Sequence, residues 1–508
     1  MERRVTPKPM VNDLKKSDSA IVAVKQANKG RQRPAEPVEP RAEAKRNSGN
    51  RSMRRAQKRE SVSQAATRIR QAVKRNPEER LVALLHHITV PVLAEAFYSL
   101  KSDVAAGVDG VTWEMYAEGL EDRLADLCGR IHRGAYRAPP VRRVEIPKAD
   151  GGKRPLGIAT LEDKIVQKAV TDTILVPIYE SEFLGFSYGF RQGRGAHNAL
   201  DALVVGIEKR KISWIVDADI RGFFDNVDRG WLIRFLEHRI GDKRVIRLII
   251  KWLNAGVMDC DTWVDTGMGT PQGAIISPIL ANVYLHYVFD LWVHKTWRGR
   301  KAKGDMIVVR YADDFVVGFQ YKWEADRFLN DLRERLAQFG LALHPDKTRL
   351  FEFGRFAKVS RKRRGQRKPE TFDFLGMTHF CDQSLKGRFR VGRKPSRKRV
   401  RRTLRRIKDE LRKRMHMGAH TVAKWLGRVI NGWLNYYAVP GTARTLRAFI
   451  DRVRRMLLRT MRRRSQKDRY EWTKIDLLQN IHWPKPTIRH PWPDQRLAVK
   501  TQGRSLVR

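Results

Sequence analysis

Cysteine is scarce in this chain. Its 508 residues include only Cys128, Cys260 and Cys381, far apart in sequence. That excludes a disulfide framework and any Cys-x-x-Cys zinc site, and it suits a reducing compartment. No apolar run reaches membrane-spanning length, and the N-terminus lacks the apolar segment of a signal peptide. Neither a Gly-x-x-x-x-Gly-Lys phosphate loop nor a His-Glu-x-x-His helix occurs. Acidic residues are also few: 55 Asp plus Glu face 103 Lys plus Arg, a net charge of +48. Such an excess opposes compaction and attracts polyanions. Salt-dependent binding to nucleic acid is therefore the expected partnership. A membrane-surface role would need a basic amphipathic helix with an apolar anchor, and none stands out. What the chain does have is core-forming material: 42% of it is apolar, and its length suits about three domains.

Composition divides the chain. Residues 1–75 are basic, poor in aromatics and dotted with Pro, Ser, Gln and Asn, which predicts a largely disordered extension. Helical periodicity begins with Leu81, Leu84, Leu85, Leu93 and Phe97. Two short strands are expected between Tyr136 and Ile158 around Asp150-Gly151-Gly152, then a helix from Leu161 to Tyr179. Trp214–Ile220 reads as a strand whose alternation puts Asp217 and Asp219 on one face. Asp228 suits the N-cap of the next helix, Ser277-Pro278 a helix start, and Gly340 a left-handed helix cap. The basic stretch Lys358–Lys368 reads as a solvated insertion. From Ser396 three basic amphipathic stripes follow, led by Leu404, Trp425 and Leu446, and predict a small bundle. In the second stripe Trp433 and Tyr437 read as core. The last stretch, with Pro484, Pro486, Pro491 and Pro493, reads as irregular.

The chemistry concentrates in Tyr311-Ala312-Asp313-Asp314. These residues separate two β-branched runs, Met306–Val309 and Phe315–Val317, so both carboxylates fall at the tip of a strand-turn-strand. Such a pair can be an ordinary surface turn. Two adjacent carboxylates repel, however, and burying them calls for a cation. Phosphoryl transfer with two divalent metals needs carboxylates in this number. Asp219 or Asp217, on a strand about ninety residues earlier, supplies the third. Between them lies Gly269-Thr270-Pro271-Gln272-Gly273, where glycine lets backbone approach a ligand.

The chain resembles group II intron-encoded reverse transcriptases with maturase function, over roughly residues 75–475. The resemblance rests on an ordered series of blocks. They are Lys153-Arg154-Pro155-Leu156-Gly157-Ile158, Phe186-Ser187-Tyr188-Gly189-Phe190-Arg191, Asp219-Ile220-Arg221-Gly222-Phe223-Phe224-Asp225, and Gly269–Gly273 with Ser277-Pro278 and Asn282. Tyr311–Asp314, His344-Pro345-Asp346-Lys347-Thr348, Phe374-Leu375-Gly376 and Gly432-Trp433-Leu434-Asn435-Tyr436-Tyr437 complete the series.

That resemblance implies an α+β right-hand polymerase. Its expected parts are fingers over 76–215, a palm with an antiparallel sheet over 216–385 with a basic insertion at about 355–370, a helical thumb or maturase domain over 396–475, and a tail over 476–508. It implies an RNA-directed DNA polymerase that assists splicing and mobility of its intron. The alternatives are a splicing cofactor with vestigial polymerase activity, or a domesticated or defence-associated reverse transcriptase. Asp219, Asp313 and Asp314, with the Ile220 main-chain carbonyl, would hold two Mg²⁺ ions, for which Mn²⁺ would substitute. Lys153, Arg154, Phe223, Phe224, Gln272 and Lys347 would meet the nucleotide, one of the two rings blocking a 2′-hydroxyl. Arg401, Arg402, Arg405, Arg406, Arg462, Arg463 and Lys467 would face RNA. The implied partners are structured intron RNA, an RNA template with a DNA primer, dNTPs and target DNA, with no membrane, in the bacterial cytoplasm at the nucleoid. Many relatives add a Cys- and His-bearing endonuclease after the maturase region. The forty or so residues after the third stripe lack that pattern, so no endonuclease is expected, and the primer would come from another source such as a replication fork.

Overall fold

The computed structural model describes residues 64–147, 152–259, 262–264, 269, 273–366, 368–464 and 470–500. Three sheets organise the chain. The first joins β1 (Val141–Pro147), β2 (Lys153–Ile158), β4 (Val257–Asp259) and β5 (Thr262–Val264) in the order β2-β1-β4-β5. The palm sheet is antiparallel, in the order β6-β7-β3-β8. Its strands are β3 (Trp214–Asp219), β6 (Met306–Tyr311), β7 (Asp314–Phe319) and β8 (Arg349–Glu352). A three-stranded sheet of β9 (Phe372–Phe374), β10 (Met377–Gln383) and β11 (Phe389–Pro395) links the palm to the C-terminal helices. The fold is thus α+β, with an antiparallel palm and a helical C-terminal region.

Local sequence explains the palm's cover. Ala325, Phe328, Leu332 and Leu336 recur at helical spacing on Lys322–Ala337 and are buried, making the stripe that packs on β3 and β7. The helix Ala196–Lys209 packs on β6. There a Cβ at Gly206 would come within 3.1 Å of Ile307, so glycine sets how closely helix and strand approach. Asp228 caps Arg229–Glu237 by accepting from the Trp231 amide at 2.8 Å, and Pro278 opens Ser277–Leu285.

At the centre of the palm lies a buried ion pair. Arg310 on β6 and Asp290 are both inaccessible to solvent. All five N–H groups of Arg310 are used. Nε and Nη2 donate to the Asp290 carboxylate at 2.7 and 2.5 Å, and Nη2 also donates to Ser187 Oγ at 2.6 Å. Nη1 donates to Asn282 Oδ1 and to the Ala312 carbonyl, each at 3.0 Å. Asn282 in turn donates to the Gly189 carbonyl at 2.7 Å. The Arg310 backbone accepts from Tyr188 and donates to Phe186. One guanidinium thus ties two of the sequence blocks to the Ala312 turn.

Among the described residues the maturase-like region contains the helices Arg397–Lys413, Ala419–Tyr437, Ala443–Arg462 and Trp472–His482. Trp433 stacks on Phe449 at 3.8 Å between centroids, and Tyr437 is also buried, so both are core as expected. No helix among the described residues is long and apolar enough to cross a membrane.

Several expectations change. Order begins before residue 76: residues 64–75 are helical, with Ala66, Ile69 and Val73 buried at helical spacing. The basic insertion contains a short helix, Ala357–Arg363. The tail expected to be irregular contains Pro493–Lys500, a helix whose Arg496 lies 3.0 Å from buried Asp201. Arg393 completes that triad at 2.8 Å, so charge pairing overrides the proline-rich pattern and binds the tail to the palm.

Removing one member of a buried pair leaves the other charge desolvated, at a cost of about 3–5 kcal/mol. Asp290→Ala is therefore expected to lower the unfolding free energy by about that amount in denaturant titrations. A loss below about 1 kcal/mol, the range of exposed pairs, would show that Arg310 finds solvent instead.

Candidate catalytic centre

The register of the palm brings the carboxylates together. Asp219, the last residue of β3, pairs directly with Asp314, the first of β7. Asp314 also pairs with Tyr311 across the β6–β7 hairpin, leaving Ala312 and Asp313 as its two-residue turn. Three carboxylates thus share one end of the sheet. Like charges directly opposite on adjacent strands repel, and the protonation equilibria record this. Burial first, then the charges of Asp313 and Asp219, push the Asp314 carboxyl up to about 7.

β8 answers with cations at the same two-residue spacing. Lys347, just before the strand, places Nζ 2.5 Å from Asp219 Oδ2. Arg349 pairs across the sheet with Asp217, at 3.3 Å. Burial pushes the Asp217 carboxyl up to about 6, against the pull of Arg349. The hydrogen bond to Asp219 raises the Lys347 ammonium above its ordinary range. The two aspartates of β3 share a face but not a role: Asp217 faces Val316 on β7 and an arginine on β8, whereas Asp219 faces another carboxylate.

These donors suit a hard divalent cation: three carboxylates share one end of the sheet and are answered by the exposed Lys347. Among the described residues no group of three or more His, Cys, Asp or Glu is arranged to hold a metal ion by itself. Mg²⁺ does not require one, because it takes few protein oxygens and completes its shell with water and phosphates.

The other expected site residues fall around this end of the palm or outside the described residues. Ile220 follows Asp219 and bridges to Leu343, with its side chain buried. Phe223 is core, packed near Tyr284, whereas Phe224 is only half-buried; Phe224 is the ring available to a ligand. Gly269 donates its amide to Val227, and a Cβ there would come within 2.8 Å of the Phe224 carbonyl. A Cβ on Gly273 would come within 2.8 Å of the Gly157 carbonyl on β2. Gly269 therefore sits against the palm turn, and Gly273 against the strand bearing Lys153 and Arg154, which pair with Pro147 and Ile146 of β1. Gln272 and Lys467 lie outside the described residues. Arg401, Arg402, Arg405 and Arg406 are exposed on Arg397–Lys413, opposite buried Ile407 and Leu411. Arg462 and Arg463 are exposed at the end of Ala443–Arg462.

Sequence reading missed Arg310 and Asp290. It also missed three residues with the left-handed backbone that favours glycine: Phe190, Ala312 and Leu375, at φ 56°, 56° and 48°. Each belongs to a sequence block. Gly189 explains the first: a Cβ there would lie 2.4 Å from the Ala312 amide, so this chain runs against the Ala312-Asp313 turn. Phe190 is then held from both sides. Asn282 binds the Gly189 carbonyl, while Arg191 donates to the Leu184 and Ser187 carbonyls and pairs with Glu180. The Phe190 ring remains 56% exposed.

Comparison with known proteins agrees with this geometry. Residues 146–379 match the family described as reverse transcriptase (RNA-dependent DNA polymerase), and residues 397–476 match the group II intron, maturase-specific domain. Protein YkfC of Escherichia coli (strain K12) is 34% identical over 274 residues, which cover 48% of this chain and 71% of that protein. Group II intron-encoded protein LtrA of Lactococcus lactis subsp. cremoris is 37% identical over 224 residues, 43% of this chain and 36% of LtrA. An uncharacterized 91 kDa protein in the cob intron of Schizosaccharomyces pombe is 44% identical over 191 residues, 38% of this chain and 23% of that protein. The chain thus spans most of YkfC but about a third or less of the other two.

Two outcomes follow from the crowding and the strain. Without metal, Asp314 keeps its proton in the folded chain up to about pH 7. The folded state then binds more protons than the unfolded one between about pH 4 and pH 7, so this group's contribution to stability declines as pH rises through that window. Asp314→Asn should therefore raise the melting temperature of metal-free protein at pH 8 and leave it unchanged at pH 5. Equal effects at both pH values would contradict the crowding. Phe190→Gly removes left-handed strain of about 1 kcal/mol, so the melting temperature should hold or rise. Primer extension by the same variant should fall if the exposed ring contacts nucleic acid, and an unchanged rate would reduce Phe190 to a spacer.

Proposed function

The chain belongs to the group II intron-encoded reverse transcriptases, RNA-directed DNA polymerases that carry a maturase domain and assist splicing, and from that premise we infer that Asp219, Asp313 and Asp314 form its polymerase centre. Enzymes of this family depend on divalent metal and bind nucleic acids such as intron RNA. The register that sets Asp219 opposite Asp314 beside the Asp313 turn carries the assignment.

Two Mg²⁺ ions, or Mn²⁺ in their place, would be held by these carboxylates and the Ile220 carbonyl, lowering the pKa of the primer 3′-hydroxyl and stabilising the leaving pyrophosphate. The residues around them do the positioning. Phe224, half-buried and pressed near Gly269, lies beneath the incoming sugar and excludes a 2′-hydroxyl. Lys153 and Arg154 on β2 meet the triphosphate with charge-assisted bonds, and Gln272 meets the nucleotide or the minor groove. Lys347 exchanges partners: it neutralises Asp219 while the site awaits substrate and turns to the pyrophosphate as charge develops there. Its ammonium is mostly exposed, so leaving Asp219 costs little.

The reaction joins a primer 3′-hydroxyl to a dNTP opposite an RNA template and releases pyrophosphate. The exposed arginines of the C-terminal helices bind structured intron RNA through its phosphates and shape, and target DNA is reached in the same particle. The protein acts in the bacterial cytoplasm, held at nucleic acid by its charge.

Primer extension on an RNA template with Mg²⁺ tests this directly. Asp219→Asn or Asp313→Asn should reduce extension by at least about a thousandfold, the scale of a lost electrostatic group at a reacting phosphate. Each variant should keep its affinity for intron RNA. Retained extension would remove the catalytic assignment, whereas lost RNA affinity would show that the aspartates hold the fold.

A further inference from the structure

The palm sheet has a second functional end. Three connections meet opposite the carboxylates, because Trp214 of β3 pairs with Phe319 of β7 and Phe319 pairs with Met306 of β6. They are the segment after Ala196–Lys209, the segment before β6 and the segment after β7. Five residues of strand separate this end from Asp314, roughly 17 Å at strand rise.

The connections are locked together. Lys211 donates its amide to Asp305 at 2.9 Å, and Asp305 and Gln320 exchange backbone and side-chain bonds at 3.0 and 3.1 Å. Buried Glu324 accepts the Lys303 and Gly304 amides at 2.6 and 3.1 Å. Gly304 lies under Tyr321, where a Cβ would be 2.8 Å from the ring. On this base stand two exposed aromatics, Tyr321 at 43% and Trp323 at 48%. Their rings are nearly parallel, at 16°, with centroids 6.4 Å apart. Lys211, Lys303 and Lys322 are exposed on these connections. Lys322 is balanced by Asp326, whereas Lys211 and Lys303 make no salt bridge with any described residue.

Exposed parallel rings among lysines fit a strand whose bases are free to stack and whose backbone is anionic. A base-paired duplex offers the phosphates but hides the base faces. We infer that this end of the palm binds unpaired RNA outside the polymerase cleft. The choice of RNA over DNA rests on the polymerase reading: newly made DNA stays paired with its template, whereas uncopied template and intron loops are unpaired RNA.

The test uses the full chain with its cleft saturated by a short RNA–DNA primer–template. A single-stranded RNA of about twelve nucleotides carrying 4-thiouridine, within the usual site size for such surfaces, is titrated and then photo-crosslinked. Crosslinks are expected at Tyr321 and Trp323. Tyr321→Ala with Trp323→Ala should weaken binding about tenfold, the scale of lost base stacking, whereas Phe at both positions should preserve it. Extension of the short primer–template should be unchanged in both variants, so a failed surface is distinguishable from a failed polymerase. Unchanged affinity with crosslinks elsewhere would overturn the proposal. Displacement by duplex RNA as readily as by single strands would overturn it as well, as would a preference for single-stranded DNA.

Discussion

The Arg310–Asp290 pair is the constraint from which the palm is built. A guanidinium without access to water is tolerable only when every donor is satisfied, and here the acceptors come from four parts of the chain. Asp290 neutralises it. Ser187, Asn282 and the Ala312 carbonyl complete it. Each acceptor is thereby fixed relative to the others, and Asn282 passes the constraint to Gly189. Residues far apart in sequence become one unit because a single buried cation leaves them no alternative arrangement.

That unit holds a turn the backbone would not choose. Ala312 and Phe190 both carry positive φ, and the Gly189 backbone lies against the Ala312 amide. Left-handed alanine and phenylalanine are each disfavoured by roughly 1–2 kcal/mol, and the pair with its five hydrogen bonds supplies the restraint. The consequence is electrostatic. A relaxed turn would let Asp313 swing away from Asp219 and Asp314 and lower their mutual repulsion. The restrained turn keeps Asp313 at the end of the sheet that carries Asp219 and Asp314, where Lys347 offsets part of the charge. Lys347 is a partial answer with a long, exposed side chain, which suits it to yield to a more highly charged ion.

The legible parts of the site were those set by strand period and local chemistry. Alternation placed Asp217 and Asp219 on one face, and hairpin symmetry placed Asp313 and Asp314 at a tip. Asp228, Ser277-Pro278 and Gly340 could be read because caps act over three or four residues. Strand period could not choose between Asp217 and Asp219; the resemblance pointed to Asp219, and register adds that Asp217 meets Arg349 while Asp219 meets Asp314. Arg310 was invisible because a lone arginine in a β-branched run looks like an edge residue facing solvent. The 64–75 helix was hidden by composition, since Ala66, Ile69 and Val73 are a thin stripe in a basic background. The Pro493–Lys500 helix was hidden by its prolines, and what holds it is the pairing of Arg496 with Asp201, nearly three hundred residues away in sequence.

Charge therefore does two different things in a chain with an excess of +48. Arginines drawn into the protein are matched by acids: Arg310 with Asp290, Arg393 and Arg496 together with Asp201, Arg191 with Glu180. These pairs consume acids, which are the scarce partner, and they fasten the palm, the β10–β11 hairpin and the C-terminal tail. The surplus is left on surfaces, where nothing within the chain can neutralise it. Arg397–Lys413 shows the division within one helix: Ile407 and Leu411 face the bundle, while Arg401, Arg402, Arg405 and Arg406 face outward. Packing so many like charges on one helix opposes folding unless a polyanion screens them. RNA binding is then coupled to stability by mass action, since a ligand that binds only the folded state favours it. The same surplus that marks the chain as a nucleic-acid binder makes its nucleic acid part of what holds it together.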